Sequence, residues 1–405
     1  MSSPRPIELV TTGVAVGGAA LARDDDGRVV FVEGALVGER VSVEITETKS
    51  SFRRGRVVNV IEPSAGRVEP VCPEVSNGCG GCDLAFASTA AQHDAKAAMV
   101  ADSLRRLGHL DEVPPIDLGP TLAGVGFRTT LRAAVVGGRA GLRARRSHDV
   151  VPVASCRVAH PLVEELLVHG AYGDASEITI RVGIATGERM VVTDGDPASV
   201  IVPDGVVVVS KADRDVVAAI HENVAGHRFR ISPRSFFQTR PDGADALVAT
   251  IAGLVGDEGA GGTLVDLCCG VGLFAATLGE RFDRVVAVES NRSAVGDARA
   301  NLTHLGARLD LRAETFERWA PTPADVVIAD PSRSGLGRVG VANVVATGAP
   351  LVILVSCDAG SLGRDAGLLA AAGYRLDAVT LVDLFPDTGH VEVVTRYRRS
   401  DPRPS

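Results

Sequence analysis

Thr263-Leu-Val-Asp266-Leu-Cys268-Cys269-Gly270-Val-Gly272-Leu273-Phe-Ala-Ala-Thr-Leu-Gly-Glu-Arg-Phe282 decides the architecture. Its first half is a short apolar run, as expected of a strand covered on both faces, and its second half has helical spacing. Between them lies a glycine turn, where the backbone can approach a ligand at a helix N-terminus. The same grammar repeats downstream in RVVAVES, RSAVGDARANLTHLG, LDLRAE, ADVVIADP, LVILVSCD and the helical stretches 339–348 and 360–372, with a short helix expected around Phe316 and Trp319. Alternating strands and helices predict an α/β doubly wound sheet with ligands at the carboxyl ends of its strands. The chain closes on YRLDAVTLVDLF and HVEVVTRYRR. With no helix between them, these two strands should pair antiparallel.

Upstream the pattern differs. Residues 6–62 alternate short β-branched runs with glycine turns, which predicts a small OB-like β-barrel of five or so strands. Its last strand carries Arg53, Arg54 and Arg56, and such barrels often bind single-stranded nucleic acid. A turn-rich segment, 71–86, precedes a helix that Ser88 or Thr89 can cap. From 124 to 232 the signal is mostly β, with Gly137-Gly138 as a hairpin turn and 160–171 as a helix. Three units follow: a barrel over 1–65, a central α+β domain over 66–232 and the doubly wound domain over 233–405.

The 405-residue chain is 45% hydrophobic, as a globular protein should be. No apolar run reaches the roughly 20 residues of a membrane helix, and the N-terminus lacks an apolar signal core, so a cytoplasmic protein is expected. The net charge of −8 argues mildly against nucleic-acid binding unless basic residues cluster. They do over 127–146, where Arg128, Arg132, Arg139, Arg143, Arg145 and Arg146 occur without an acid. This is the expected phosphate-contacting surface, the competing reading being a solvated strand face.

The loop Asp266–Gly272 has G-x-G spacing and no following Lys-Ser/Thr, so neither a dinucleotide fingerprint nor a phosphate loop fits. Glu289 ends the next strand, where a carboxylate can accept both ribose hydroxyls of a nucleoside. Together with the terminal strand pair, these features predict an S-adenosylmethionine-type site. Further along, Asp330-Pro-Ser-Arg333, Ser356-Cys357-Asp358 and Phe385–Glu392 stand at neighbouring strand ends and should converge on one crevice. Cys357, a lone cysteine there, is a candidate nucleophile. Arg333 is a candidate for stabilising its thiolate or the enolate that its addition would generate, or for a structural salt bridge.

Seven cysteines in a reduced compartment suggest ligands or a nucleophile rather than disulfides. Cys72, Cys79, Cys82 and Cys156 can complete a tetrahedral sulfur set, a closed structural centre tying two segments together. Spacing leaves zinc and an iron–sulfur cluster both open.

CGGC at 79–82, FQ at 237–238, DLxCGxG at 266–272, DPxRxG at 330–335, SCD at 356–358 and FPxTxHVE at 385–392 occur in the order found in the RNA 5-methyluridine methyltransferases. The chain resembles that family over nearly its whole length. The resemblance implies a class I methyltransferase fold, an N-terminal TRAM barrel and an RNA substrate, tRNA or rRNA, modified by a monomeric enzyme. It implies that Gln238, Glu289 and Asp330, with the loop residues Cys268 and Gly270, contact S-adenosylmethionine. Cys357 would be the nucleophile, Glu392 the base, and Cys72, Cys79, Cys82 and Cys156 the ligands of a [4Fe–4S] cluster. Four positions depart from the family: Cys268 usually has Phe, Leu273 Asn, Arg240 Asn and Ser332 Pro. The first two bear on cofactor contacts and the others on the pocket for the target base. Two rival readings remain: a class I methyltransferase with another substrate, against which the paired SCD and FPxTxHVE motifs speak, and an inactive RNA-binding protein, against which the intact Cys357 and Glu392 speak.

Overall fold

Thr263–Leu267 forms the central strand of an eight-stranded sheet, buried because Leu264 faces one apolar cluster and Val265 the other. The computed structural model describes residues 5–213 and 217–400. In spatial order the sheet runs Leu309–Arg312, Arg284–Val288, Thr263–Leu267, Val326–Ala329, Leu351–Ser356, Val393–Arg399, Tyr374–Leu381, Ile116–Leu118. Val393–Arg399 is antiparallel to both neighbours, and the other pairings are parallel. The last two strands therefore pair as the sequence implies, with the final one inserted beside Leu351–Ser356.

Ile116–Leu118 comes from the stretch grouped by sequence with the central domain. Helix Thr89–Arg106, capped by Ser88, likewise packs on helix Ala359–Ala371. Glycines allow the close approach: a Cβ at Gly367 would lie 2.7 Å from the Gly108 carbonyl oxygen. Residues 89–118 thus pack on the C-terminal sheet, which a three-residue strand has too little periodicity to reveal. The segment around Phe316 and Trp319, expected as a helix, is a turn in which Arg318 N and Trp319 N donate to the Thr315 carbonyl, each at 3.0 Å.

The N-terminal unit is a six-stranded sheet around Leu9, Val30, Val32, Val41 and Val43. The central unit pairs six strands, from Val150–Pro152 to Val206–Ser210, beneath helix Pro161–His169. Its hairpin turns at Gly137 and Gly138, with φ of 59° and 75°, the positive angles of a type I′ turn. Glu33 of the barrel pairs with Arg145 at 3.5 Å and with Arg146, which joins the two units.

Candidate active site

Where the central strand ends, the chain turns left-handed at Cys268 (φ 62°), Gly270 (56°) and Gly272 (93°). For a cysteine this costs of order 1 kcal/mol, so the turn is held by its surroundings. One tie is Gly270 N, which donates to Glu289 Oε2 at 3.0 Å, while Asn291 N donates to Oε1 at 2.6 Å. Glu289 is thereby fixed with lone pairs left over for hydroxyl donors. Below the loop, Asp266 Oδ2 accepts from Ala275 N at 2.9 Å and Oδ1 is buried without a partner. Burial pushes its carboxyl up to about 8, reinforced by Asp330 and Glu289.

Cys268, Gly270, Glu289, Asp330, Cys357 and Glu392 all line one cavity of about 700 Å³, and Gln238 and Phe236 close its side. Asp330, Cys357 and Glu392 stand at or next to the ends of three strands that adjoin in the sheet, so their convergence follows from strand order. Burial raises the Cys357 thiol to about 11; Glu392 and Asp330 add to the shift and the Arg333 guanidinium opposes it. Burial lifts Asp330 to about 7, and burial together with Asp330 lifts Glu392 well above the usual carboxylate range. The cleft therefore concentrates acid groups whose repulsion a bound cation would relieve. Arg333 lines the cavity, close enough to the Cys357 thiol to oppose its rise.

The sequence reading did not assign Arg128, Phe236, Phe316 and Glu317 to this cavity, which they also line. The last two follow strand Leu309–Arg312, and the rule that ligands sit at strand ends could have found them. Two departures from the family pattern lie elsewhere. Arg240 is fully buried away from the cavity, paired with Asp242 at 2.6 Å and stacked 4.0 Å from the Phe127 ring centroid. Leu273 packs in the apolar core. Cys268 and Ser332 do line the cavity.

Cys72, Cys79, Cys82 and Cys156 come together around a second cavity of about 180 Å³. Glu74 joins their two segments, its Oε1 accepting from Ala154 N at 2.8 Å and Ser155 N at 3.3 Å. Burial pushes Cys82 up to about 12, with Asp387 and the other three thiols adding to it. Among the described residues no His, Cys, Asp or Glu trio is arranged as a metal-ion site.

The arginine stretch is less available for phosphate than its composition suggests. Arg139 donates to the Val168 carbonyl at 2.9 Å and the Gly170 carbonyl at 3.3 Å, at the C-terminus of helix Pro161–His169. Arg132 pairs with Glu177 at 2.5 Å, and Arg143 donates to the His148 carbonyl at 2.9 Å. Acids distant in sequence thus pair with Arg132, Arg145 and Arg146 of a stretch that contains none. A groove along it nevertheless shares Arg128 with the 700 Å³ cavity. Among the described residues no helix is long and apolar enough to cross a membrane.

Residues 10–58 match the TRAM domain and residues 227–342 the methyltransferase small domain. An uncharacterized RNA methyltransferase of Streptomyces avermitilis is 35% identical over 94% of this chain and 95% of its own. A 23S rRNA (uracil(1939)-C(5))-methyltransferase of Alkalilimnicola ehrlichii is 31% identical over 97% of both chains. The crystal structure of Pyrococcus abyssi tRNA (uracil-54, C5)-methyltransferase, in complex with S-adenosyl-L-homocysteine, superposes with a TM-score of 0.70. It covers 96% of this chain and 99% of its own at 22% identity, so the likeness is one of fold. With a TRAM domain, a methyltransferase domain and relatives matched end to end, this chain belongs to the TRAM-domain RNA methyltransferases.

Proposed function

We propose that the protein transfers a methyl group from S-adenosylmethionine to C5 of a uridine in RNA, through a covalent bond between Cys357 and C6 of the base. The observation that carries this reading is the shared cavity: a thiol, a buried carboxyl and a glycine loop with its strand-end glutamate face one space of about 700 Å³. Two similar proteins, a 23S rRNA (uracil-C5)-methyltransferase and a tRNA (uracil-54, C5)-methyltransferase, support it.

The donor fits the residues present. Glu289 has lone pairs for ribose hydroxyls, Gln238 and Asp330 bound the same space, and the cluster of acid groups suits a sulfonium cation. When bound, S-adenosylmethionine supplies an electrophilic methyl group. Uracil C5 is too weak a nucleophile to take it unaided. The Cys357 thiolate adds to C6, which makes C5 an enolate carbon able to accept the methyl group. Glu392 then removes the C5 proton, and elimination frees the cysteine. Arg333 stabilises the thiolate, offsetting part of the rise that burial imposes. Such chemistry requires the base to leave its stack, so the target uridine is loop-borne or flipped.

Cys72, Cys79, Cys82 and Cys156 are proposed to hold a [4Fe–4S] cluster, because four cysteines sharing one cavity form a closed sulfur set once deprotonated. The function is tested by nucleoside mass spectrometry of unmodified tRNA and rRNA transcripts incubated with the protein and S-adenosylmethionine. The expected product is 5-methyluridine; methylation confined to cytosine or ribose would refute the reading.

A further inference from the structure

The segment that carries Phe385, His390 and Glu392 is held from outside the cavity. Val382 N donates to the Glu392 carbonyl oxygen at 2.9 Å, which closes residues 382–392 into a loop with Glu392 at its neck. Lys96 reaches into this loop from helix Thr89–Arg106 and is fully buried. Its Nζ lies 2.6 Å from Asp383 Oδ1 and 2.9 Å from the Phe385 carbonyl oxygen. His93 Nε2 meets the second oxygen of Asp383 at 3.1 Å. Gln92 brackets Asp387, donating to Oδ1 at 2.9 Å and accepting from Asp387 N at 2.7 Å. Gln92 and Lys96 are four residues apart on one helix face, so both address the same loop.

None of these helix residues touches the cavity. A buried ammonium is costly to desolvate, and an apolar side chain of similar volume would serve packing at least as well. Lys49 and Lys211, the other two lysines of the chain, are exposed. What an apolar residue could not do is hold a carboxylate and a carbonyl of the loop at once. Phe385, anchored through its carbonyl, lines the cavity, and its ring meets the His390 ring edge-on at 5.9 Å between centroids.

The geometry points to Lys96 as a positioning residue for proton removal from C5, fixing the 382–392 loop through Asp383 and the Phe385 carbonyl so that Glu392 reaches that proton. This rests on the uracil-C5 reading above. Lys96 touches neither base nor donor, so its loss should misplace the base without disturbing the donor site. A misplacement of about 1 Å can cost on the order of 10²-fold in a catalysed step.

The test compares wild type, Lys96→Met, Asp383→Asn and Glu392→Gln on unmodified tRNA and rRNA transcripts with labelled S-adenosylmethionine. Covalent protein–RNA adduct is read on denaturing gels, and S-adenosylhomocysteine affinity by calorimetry. Lys96→Met and Asp383→Asn should keep the affinity within about twofold and accumulate labelled adduct, with release slowed roughly 10–100-fold. Asp383→Asn keeps the side-chain shape and serves if Lys96→Met fails to fold. Wild-type release in either folded variant, or equal slowing of adduct formation and release, overturns the proposal. If wild type forms no adduct even on 5-fluorouridine RNA, the uracil-C5 reading falls, and the positioning role with it.

Discussion

Cys357 and Cys82 are both thiols that burial keeps protonated, raised to about 11 and about 12 respectively, yet their neighbourhoods differ, and the roles proposed for them differ accordingly. Around Cys357 lie a guanidinium that favours the thiolate, a buried carboxyl and an open cavity. Cys82 has three other thiols for neighbours, each of which raises it further. One thiol beside a cation can be charged singly and attack. Four thiols in one small cavity would repel on ionisation, and a bound metal centre would relieve that repulsion. The difference teaches that environment, and not residue type, separates a nucleophile from a ligand.

The largest effects should divide the two groups cleanly. Cys357→Ala is expected to lower methylation by roughly 10⁴-fold or more while leaving donor affinity and metal content unchanged. Cys82→Ser should do the reverse, losing the metal centre and lowering Tm. In wild-type protein purified anaerobically, elemental analysis should give about four irons and four sulfides per chain. Stoichiometric zinc without iron would replace the cluster by a zinc site, and near wild-type turnover in Cys357→Ala would dissolve the contrast altogether.

Glu392→Gln should slow product release by about 10²–10⁴-fold, the usual worth of a general base, and leave addition to C6 intact. If Glu392 had only a packing role, this variant would lose stability and trap nothing.

A smaller effect follows from Arg333, which opposes the burial that raises Cys357. The thiolate is the minor form at neutral pH and grows as pH rises towards about 11, so adduct formation should accelerate with pH. Removing the cation raises the thiol further, and each pKa unit is worth about tenfold in thiolate. Arg333→Gln should therefore be slower at neutral pH, with the deficit shrinking in alkaline buffer. A pH-independent deficit would assign Arg333 to the substrate instead of the thiol.

Arg139→Ala is expected to do least. Because Arg139 caps a helix, RNA affinity and its salt slope should stay unchanged while stability falls by about 0.3–1 kcal/mol. A weaker salt dependence of binding would restore the phosphate role that composition suggested.

These tests bear on what a sequence can disclose. The glycine loop, Glu289, Asp330, Cys357 and Glu392 were legible because each stands at a strand end or beside one, and strand order alone gathers them. Lys96 was invisible, since its partners Asp383 and Phe385 lie nearly three hundred positions away and no periodicity reports such a contact. Arg139 was misread for the same reason: a stretch without acids looks free until a carbonyl cluster from another element is folded onto it. Ile116–Leu118 joins a sheet whose other strands all begin far downstream, a contact that no periodicity within residues 89–118 could report.

The central claim, that Cys357 is the thiol that bonds to the base, is tested most directly by peptide mapping. Protein is incubated with 5-fluorouridine-containing tRNA and rRNA transcripts and S-adenosylmethionine, digested with protease and nuclease, and analysed by mass spectrometry. The account predicts one modified peptide, containing Cys357 and carrying a methylated 5-fluorouridine nucleotide. An adduct on any other cysteine, or 5-methyluridine produced from normal RNA by protein that never traps the fluorinated one, would contradict it.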